Sequence, residues 1–253
     1  MCGRYTNTAG VEELNARFEV PITSPAGTRR FNIAPTEEVL AIVAAKGEPE
    51  ARLLRWGLVP TWADSLKTSH KMINARIETV TTAPAYRNLI PRASRRALQI
   101  ADGYFEWLKP ERRSARAGEV VRQPFHFQVD GGIPFAFAAV WTPAKVQGEW
   151  VASVALLTCD SAPNRVAAAI HDRMPVILAD RDAQRAWLDE RLGAEEALEL
   201  CGALPEGRLS AHPANPLLNK PDPDLEGPEL LIAPDAVTAD QRSASRSASA
   251  TAG

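Results

Sequence analysis

Three segments near the middle of the chain decide its fold: FHFQVD at residues 125–130, IPFAFAAVW at 133–141 and WVASVALLTCD at 150–160. Each is apolar throughout or alternates between apolar and polar residues, and turns separate them. Runs of this length and composition are typical of β-strands. The sequence therefore predicts three consecutive strands in the middle of the chain.

The strand pattern extends toward the N-terminus. EVLAIVAAKGE at 38–48 and ARLLRWGLV at 51–59 are interpreted as two strands joined by a turn around Gly47. RRALQIADGYFEWLKP at 95–110 is rich in apolar and aromatic residues and predicts one longer strand that ends at a proline. The polar, basic stretch at 111–123 predicts a hairpin loop.

Four segments outside this region predict helices. They have apolar residues at helical spacing, capping residues or acidic residues at their start: AGVEELNARF at 9–18, SAPNRVAAAIH at 161–171, DRDAQRAWLDERL at 180–192 and GAEEALELCGAL at 193–204. The fold class that follows is α+β, with one domain spanning residues 2–232. Residues 233–253, composed largely of Ala, Ser, Thr and Arg, predict a disordered tail.

Composition excludes several classes of protein. A chain of 253 residues that is 45% hydrophobic can bury a substantial core. It contains no run of 18 apolar residues and no signal peptide, so neither a membrane span nor secretion is expected. Cys2, Cys159 and Cys201 lack CxxC spacing, which fits a reducing cytoplasm. No two histidines have i, i+4 spacing, and we expect neither a metal nor a cofactor.

The net charge of −2 conceals an asymmetry along the chain. Residues 1–130 hold 19 basic against 14 acidic side chains, whereas the remainder holds 10 against 17. Most of the basic residues in the first half are arginines, whose planar guanidinium suits phosphate. This composition is compatible with a nucleic-acid partner but does not require one.

Short stretches rich in functional side chains are spread along the chain. They are MCGRY at 1–5, FNIAPT at 31–36, RWGLVPTWA at 55–63, INARIET at 73–79, DGYFEW at 102–107 and IHDRMP at 170–175. Each alone has a plain structural interpretation: Asn32 in an Asx turn, Glu106 on the solvent face of a strand, His171 at a helix C-terminus. By strand alternation, Glu106 shares a face with Tyr104 and Leu108, and Phe105 shares the other with Trp107.

Together, these stretches resemble the SRAP family (SOS response-associated peptidase), whose members shield abasic sites in single-stranded DNA. The motifs MCGR, N-x-AP, WG-x-x-P-x-W, INAR-x-E, DG-x-[FY]-EW and HDRMP occur in the family's order, from Cys2 to about Ile232. The resemblance implies one strand-rich, barrel-like domain with flanking helices. It also implies a monomer in the cytoplasm, associated with the nucleoid when bound to DNA, that takes part in the SOS response to DNA damage.

The resemblance also implies roles for particular residues. Cys2 corresponds to the nucleophile that becomes attached to the abasic sugar, and three further residues match active-site positions: Asn74, Glu106 and His171. Matches to DNA-contacting positions, or candidates for that role, are Arg4, Asn32, Trp56, Trp62, Arg76 and Arg173. For Trp56, core packing is an equally weighted interpretation. Ala63 stands where many members have a second bulky residue, so the stacking arrangement on this loop differs from theirs.

The position of Cys2 has a chemical explanation. Methionine aminopeptidases generally remove Met1 before a small residue, which leaves Cys2 with an α-amine and a thiol on adjacent carbons. The amine can form an imine with the aldehyde of a ring-opened abasic sugar, and the thiol can then close a five-membered thiazolidine. An α-amine has a pKa of about 7.7–8.0, so a useful fraction is neutral at pH 7.

Three alternative functions fit parts of the same pattern. An N-terminal MCG also begins the class II glutamine amidotransferases, in which the cysteine attacks an amide. Cys2, Glu106 and His171 would also suit autoproteolysis or a peptidase. A noncovalent module that binds single strands or modified bases would leave Cys2 dispensable. Of these functions, the pattern favours DNA–protein crosslinking.

Overall fold

The computed structural model describes residues 2–23, 25–45, 47–67, 69–108, 122–220, 222 and 224–234. The predicted loop at 111–123 and the predicted tail beyond residue 233 fall almost wholly outside these ranges. The strands are β1 Arg4–Asn7, β2 Arg30–Ile33, β3 Glu38–Ala45, β4 Glu48–Trp56, β5 Asn74–Arg76, β6 Arg96–Ala101, β7 Gly103–Trp107, β8 Pro124–Val129, β9 Phe135–Val146, β10 Glu149–Asp160, β11 Arg173–Pro175, β12 Ile177–Leu178 and β13 Leu209–Pro213. The α-helices are α1 Val11–Phe18, α2 Arg165–Ala168, α3 Arg181–Trp187 and α4 Ala194–Glu199.

Five strands close into a barrel. β3 pairs antiparallel with β4 and β6, β6 with β9, and β9 with β10. A parallel pairing of β10 with β4 closes the ring. Closure leaves none of these five strands with an unpaired edge, and the side chains pointing inward fill the interior. The predicted α+β class and barrel-like core are confirmed.

A second sheet, ordered β13–β8–β7–β1–β2, packs beside the barrel. β1 lies between β2 and β7, so the N-terminus of the chain occupies the interior of a sheet. The β1 residue Tyr5 packs edge-on against Trp56 from the barrel, with ring centroids 5.2 Å apart. This contact joins the two sheets in one hydrophobic core, which also contains Cys2.

The prediction of one long strand at 95–110 is wrong. The chain instead forms β6 in the barrel and β7 in the second sheet, with Asp102 between them. The buried carboxylate of Asp102 accepts hydrogen bonds from Thr6 Oγ1 at 2.5 Å and from the backbone N–H groups of Thr8 at 2.5 Å and Ala9 at 3.2 Å. Because a buried carboxylate needs such partners, Asp102 fixes the point where the chain leaves the barrel.

All four helices are shorter than their sequence patterns predict, α1 by only its first two residues. The segment 161–171 forms only the single turn of α2, which Asn164 begins by accepting from Ala167 N at 3.1 Å. After α3, the buried Arg96 donates to the carbonyl oxygens of Asp189 at 2.6 Å and Leu192 at 3.0 Å. These tertiary hydrogen bonds take up acceptors that a longer helix would use internally. No helix in the described ranges is long and apolar enough to cross a membrane.

Candidate active site and DNA-contacting residues

Cys2 lies directly before β1 and is fully buried, although it stands next to the end of the chain. Its Sγ is 3.7 Å from the carbonyl oxygen of Arg4. Burial raises the pKa of the Cys2 thiol well above its ordinary value, and the nearby Glu106 carboxylate raises it further. In this environment the protonated form of the thiol is therefore favoured.

Asn74 holds the backbone of Cys2 in place. Its Nδ2 donates a hydrogen bond of 2.8 Å to the Cys2 carbonyl oxygen. Asn74 begins β5, which pairs in parallel with β10 so that Asn74 lies opposite Leu156. Its Oδ1 is buried and has no hydrogen-bond partner among the described residues. An amide that is held at Nδ2 and open at Oδ1 can orient a donor on a bound molecule without titrating.

Glu106 lies on β7, the strand next to β1, where Phe105 is the partner of Arg4. It is 4% exposed, so the interpretation that places it on a solvent-facing strand surface is wrong. Burial is the main reason why the pKa of its carboxyl is raised. A carboxyl with a raised pKa keeps a larger protonated fraction near neutral pH and can both give and take a proton.

The predicted alternation along β7 is confirmed. Tyr104 and Leu108 pack in the main core, on the side of the barrel, whereas Phe105 and Trp107 pack in a separate cluster with Ala214, Leu218 and Leu230. β7 is therefore covered on both faces. Glu106 lies on the barrel side with Tyr104, which packs against Phe137, so the packing of β7 against the barrel buries its carboxyl, and no local pattern shows that packing.

His171 is held between α2 and β11. Its Nδ1 accepts a hydrogen bond of 3.0 Å from the backbone N–H of Arg173 and lies 3.0 Å from Asp172 Oδ1. Both of these contacts are made by Nδ1, on one side of the ring. Ser161 Oγ also donates to the His171 carbonyl oxygen at 2.6 Å. These contacts fix one orientation of the imidazole.

The end of β10 brings the motif residues from β5 and β11 together. Thr158 on β10 is the partner of Arg76 on one side and of Pro175 on the other. Asn74 and Arg76 therefore flank the same strand end as His171 and Arg173. Asn74 and Glu106 each interact with Cys2, and the Asp172 carboxylate of the histidine motif acts electrostatically on Glu106.

The three candidate arginines have different surroundings. Arg173 donates to Glu78 at 2.6 and 2.9 Å and to the Thr158 carbonyl oxygen at 2.7 Å. This pairing lowers the pKa of Glu78. Arg76 is exposed at the end of β5. Arg4 donates to Asn32 Oδ1 at 2.6 Å and forms no ion pair with any described residue.

Trp56 and Trp62 occupy opposite environments. Trp56 is fully buried, and its Nε1 donates to the Ile73 carbonyl oxygen at 3.1 Å. The ring faces of Trp56 lie within the core, so this side chain is not available to stack on DNA bases. Core packing is therefore the correct interpretation of Trp56. Trp62 is 64% exposed on the loop after β4 and is available for stacking.

We expect replacement of the two tryptophans by alanine to separate stability from surface function. Trp56→Ala should lower the free energy of unfolding by about 3–5 kcal/mol, since it empties a large core volume. Trp62→Ala, the matched control, should change it by about 0.5 kcal/mol or less. Urea unfolding followed by far-UV circular dichroism measures both. Equal losses for the two variants would contradict the assignment of Trp56 to the core.

Asn32 also differs from its predicted role as a DNA contact. It is 3% exposed, its Oδ1 accepts from Arg4, and its Nδ2 donates to the Leu225 carbonyl oxygen at 2.8 Å. Both polar atoms of its side chain are thus used inside the protein. The sequence analysis missed Leu225, because no local pattern connects two residues 193 positions apart.

Comparison with known proteins identifies the family of this chain. The sequence model of the SOS response associated peptidase (SRAP) family matches residues 1–221. Abasic site processing protein YoaM of Bacillus subtilis is 32% identical over 225 residues, covering 87% of this chain and 94% of the relative. Abasic site processing protein YedK of Escherichia coli is 28% identical over 222 residues, covering 85% and 92%.

A solved structure supports the fold independently. A protein from Bacteroides thetaiotaomicron superposes with a TM-score of 0.76 at 20% identity, covering 92% of this chain and 99% of that chain. A likeness at this identity concerns the fold alone. The family match, in contrast, spans nearly all of the described residues and includes every motif discussed above. The chain therefore belongs to the SOS response associated peptidase (SRAP) family.

Proposed function

We propose that this protein recognises abasic sites in single-stranded DNA and, as a monomer, captures them covalently through Cys2 after removal of Met1. The observation that carries the proposal is the placement of Cys2, whose carbonyl oxygen Asn74 holds at 2.8 Å beside the buried Glu106. The names of the relatives YoaM and YedK, both abasic site processing proteins, support the same lesion as substrate.

The reaction begins at the α-amine. The raised pKa of the Cys2 thiol supports this order, because the thiol is protonated and the neutral amine is the better nucleophile toward the C1′ aldehyde. Amine addition gives a carbinolamine, and the protonated Glu106 carboxyl gives its proton to the hydroxyl group, which leaves as water. The product is an iminium group, with Glu106 as the carboxylate.

Ring closure then restores the site. The Cys2 sulfur attacks C1′, which is the iminium carbon, and a five-membered thiazolidine forms. The thiol proton passes to the Glu106 carboxylate. The reaction consumes one amine, one thiol and one aldehyde and releases one water. Glu106 ends protonated, as it began, so one carboxyl serves first as general acid and then as general base.

The other candidate residues bind and orient the DNA. His171 would form a hydrogen bond with a sugar oxygen and assist ring opening. Arg4 and Arg76 would contact phosphates, a kind of contact that carries no sequence information. Arg173 would contact a phosphate while it remains paired with Glu78. Trp62 would stack on a base beside the lesion.

The test uses three single-stranded oligonucleotides of one sequence, containing an abasic site, a chemically reduced abasic site without an aldehyde, or an intact base. We expect a heat-stable adduct only with the oligonucleotide that contains the abasic site. Its mass should equal that of the protein without Met1 plus the oligonucleotide minus one water. Adduct formation with the reduced site, or none with the aldehyde despite Met1 removal, would contradict the proposal. In the latter case, released glutamate and cleaved peptide are the products to measure for the amidotransferase and peptidase alternatives.

A further inference from the structure

The segment that follows the family-matched region lies across one edge of the second sheet. Residues 224–234, here called the C-terminal strap, come after residue 221, where the family match ends. The strap is anchored by Leu230, which is fully buried, and by a hydrogen bond of 3.0 Å from Ala233 N to the Pro213 carbonyl oxygen. It covers β2, the edge strand of the sheet.

The strap holds three consecutive residues of β2. Glu226 accepts hydrogen bonds from Arg30 Nε at 2.5 Å and from the Phe31 backbone N–H at 2.7 Å. Leu225, through its carbonyl oxygen, accepts from Asn32 Nδ2 at 2.8 Å. An edge strand presents N–H groups to solvent unless something pairs with them, and here the strap does so. β2 is thereby fixed next to β1.

This arrangement determines where Arg4 points. The Leu225 carbonyl oxygen can only accept a hydrogen bond, so the Asn32 amide turns its donor, Nδ2, toward the strap. Its acceptor, Oδ1, then faces Arg4. Asn32 Oδ1 then accepts from Arg4 Nη1 at 2.6 Å, two residues from Cys2. Arg4 is held by a neutral oxygen, whereas Arg30 and Arg173 are held by carboxylates. Glu37, which forms an ion pair with Arg30, acts on the Arg4 charge through space, but no described carboxylate lies within ion-pair distance of Arg4.

We propose that the C-terminal strap is a positioning device for DNA binding, with Leu225 and Glu226 as positioning residues that act through Asn32 on Arg4. The guanidinium is thereby held ready for a phosphate next to the abasic nucleotide. This inference rests on the proposed function, since it requires DNA at the Cys2 site. It assigns a role to residues beyond the region that defines the family.

The test measures noncovalent affinity for the oligonucleotide with the reduced abasic site at several KCl concentrations. Each phosphate contact to a single strand contributes about 0.7 to the slope of log K against log [salt]. We expect Arg4→Gln to reduce the slope by about 0.7, and Asn32→Ala and Glu226→Ala to reduce it by most of that amount. In the Arg4→Gln background, the other two substitutions should have no further effect on the slope.

Glu229→Ala is the matched control. Glu229 lies on the same strap with its side chain exposed, so this variant also removes one negative charge, and its slope should equal that of the wild type. A purely structural strap would lower the melting temperature of Glu226→Ala and leave its slope unchanged, which would overturn the inference. A further loss of slope in the Arg4→Gln background would also overturn it. Failure of the proposed function is seen separately, as the absence of a wild-type adduct.

Discussion

Cys2→Ala will form no heat-stable adduct with abasic single-stranded DNA. The reason is that alanine retains the α-amine and can form an imine, but it has no thiol with which to close the ring. Denaturing gels of timed samples measure the rate. Met1 removal must be verified by intact mass, since alanine is also small enough to permit it.

Cys2→Ala also allows the two stages to be separated. Borohydride reduction should trap the open imine of this variant as a stable secondary amine, because imine formation needs only the amine. Suppose that Cys2→Ala forms almost no heat-stable adduct before reduction but is trapped on the DNA by borohydride. The loss then lies at ring closure. A wild-type amount of heat-stable adduct from Cys2→Ala would refute the role of the thiol.

Glu106→Gln should slow adduct formation by about 10²–10⁴-fold, the usual contribution of a general acid or base. Glutamine has nearly the same shape and can hydrogen-bond, but it cannot supply a proton to the departing water or take one from the thiol. Single-turnover rates at saturating DNA measure this effect without a contribution from binding. A wild-type rate for Glu106→Gln would show that the carboxyl takes no part in proton transfer.

The pH dependence of the wild type gives a second test of Glu106. The rate should rise with pH as the α-amine, with a pKa of about 7.7–8.0, becomes neutral. It should fall where Glu106, whose pKa burial raises, loses the proton required of a general acid. Glu106→Gln should keep the rise and lose the fall. A profile of the same shape in both proteins would count against the assignment.

The stability of Glu106→Gln is the control for this result. A carboxyl whose pKa is higher in the folded state than in the unfolded state stabilises the fold below its unfolded pKa and loses that contribution as pH rises through the folded pKa. At neutral pH, a permanently neutral glutamine should therefore leave the protein at least as stable. Urea unfolding at pH 7 verifies this, with Trp56→Ala as the destabilised reference.

The limits of prediction are clear at particular residues. The motif set located Cys2, Asn74, Glu106 and His171, because each lies within a short ordered motif. The environment of Glu106 was mistaken, since the face of β7 that it shares with Tyr104 packs against the barrel, which strand alternation alone does not show. Trp56 and Trp62 lie in one motif, yet the first is fully buried and the second 64% exposed, a difference that only the packing of the barrel shows.

By itself, the sequence determined the strand-rich class, the family and the candidate reactive groups, because these depend on local composition and on short motifs in a fixed order. The tertiary structure decided where the chain passes from barrel to second sheet at Asp102. It also decided which arginine is neutralised and which residues position Arg4. These features depend on hydrogen bonds between residues as many as 195 positions apart, and no local pattern records which distant groups a fold brings together.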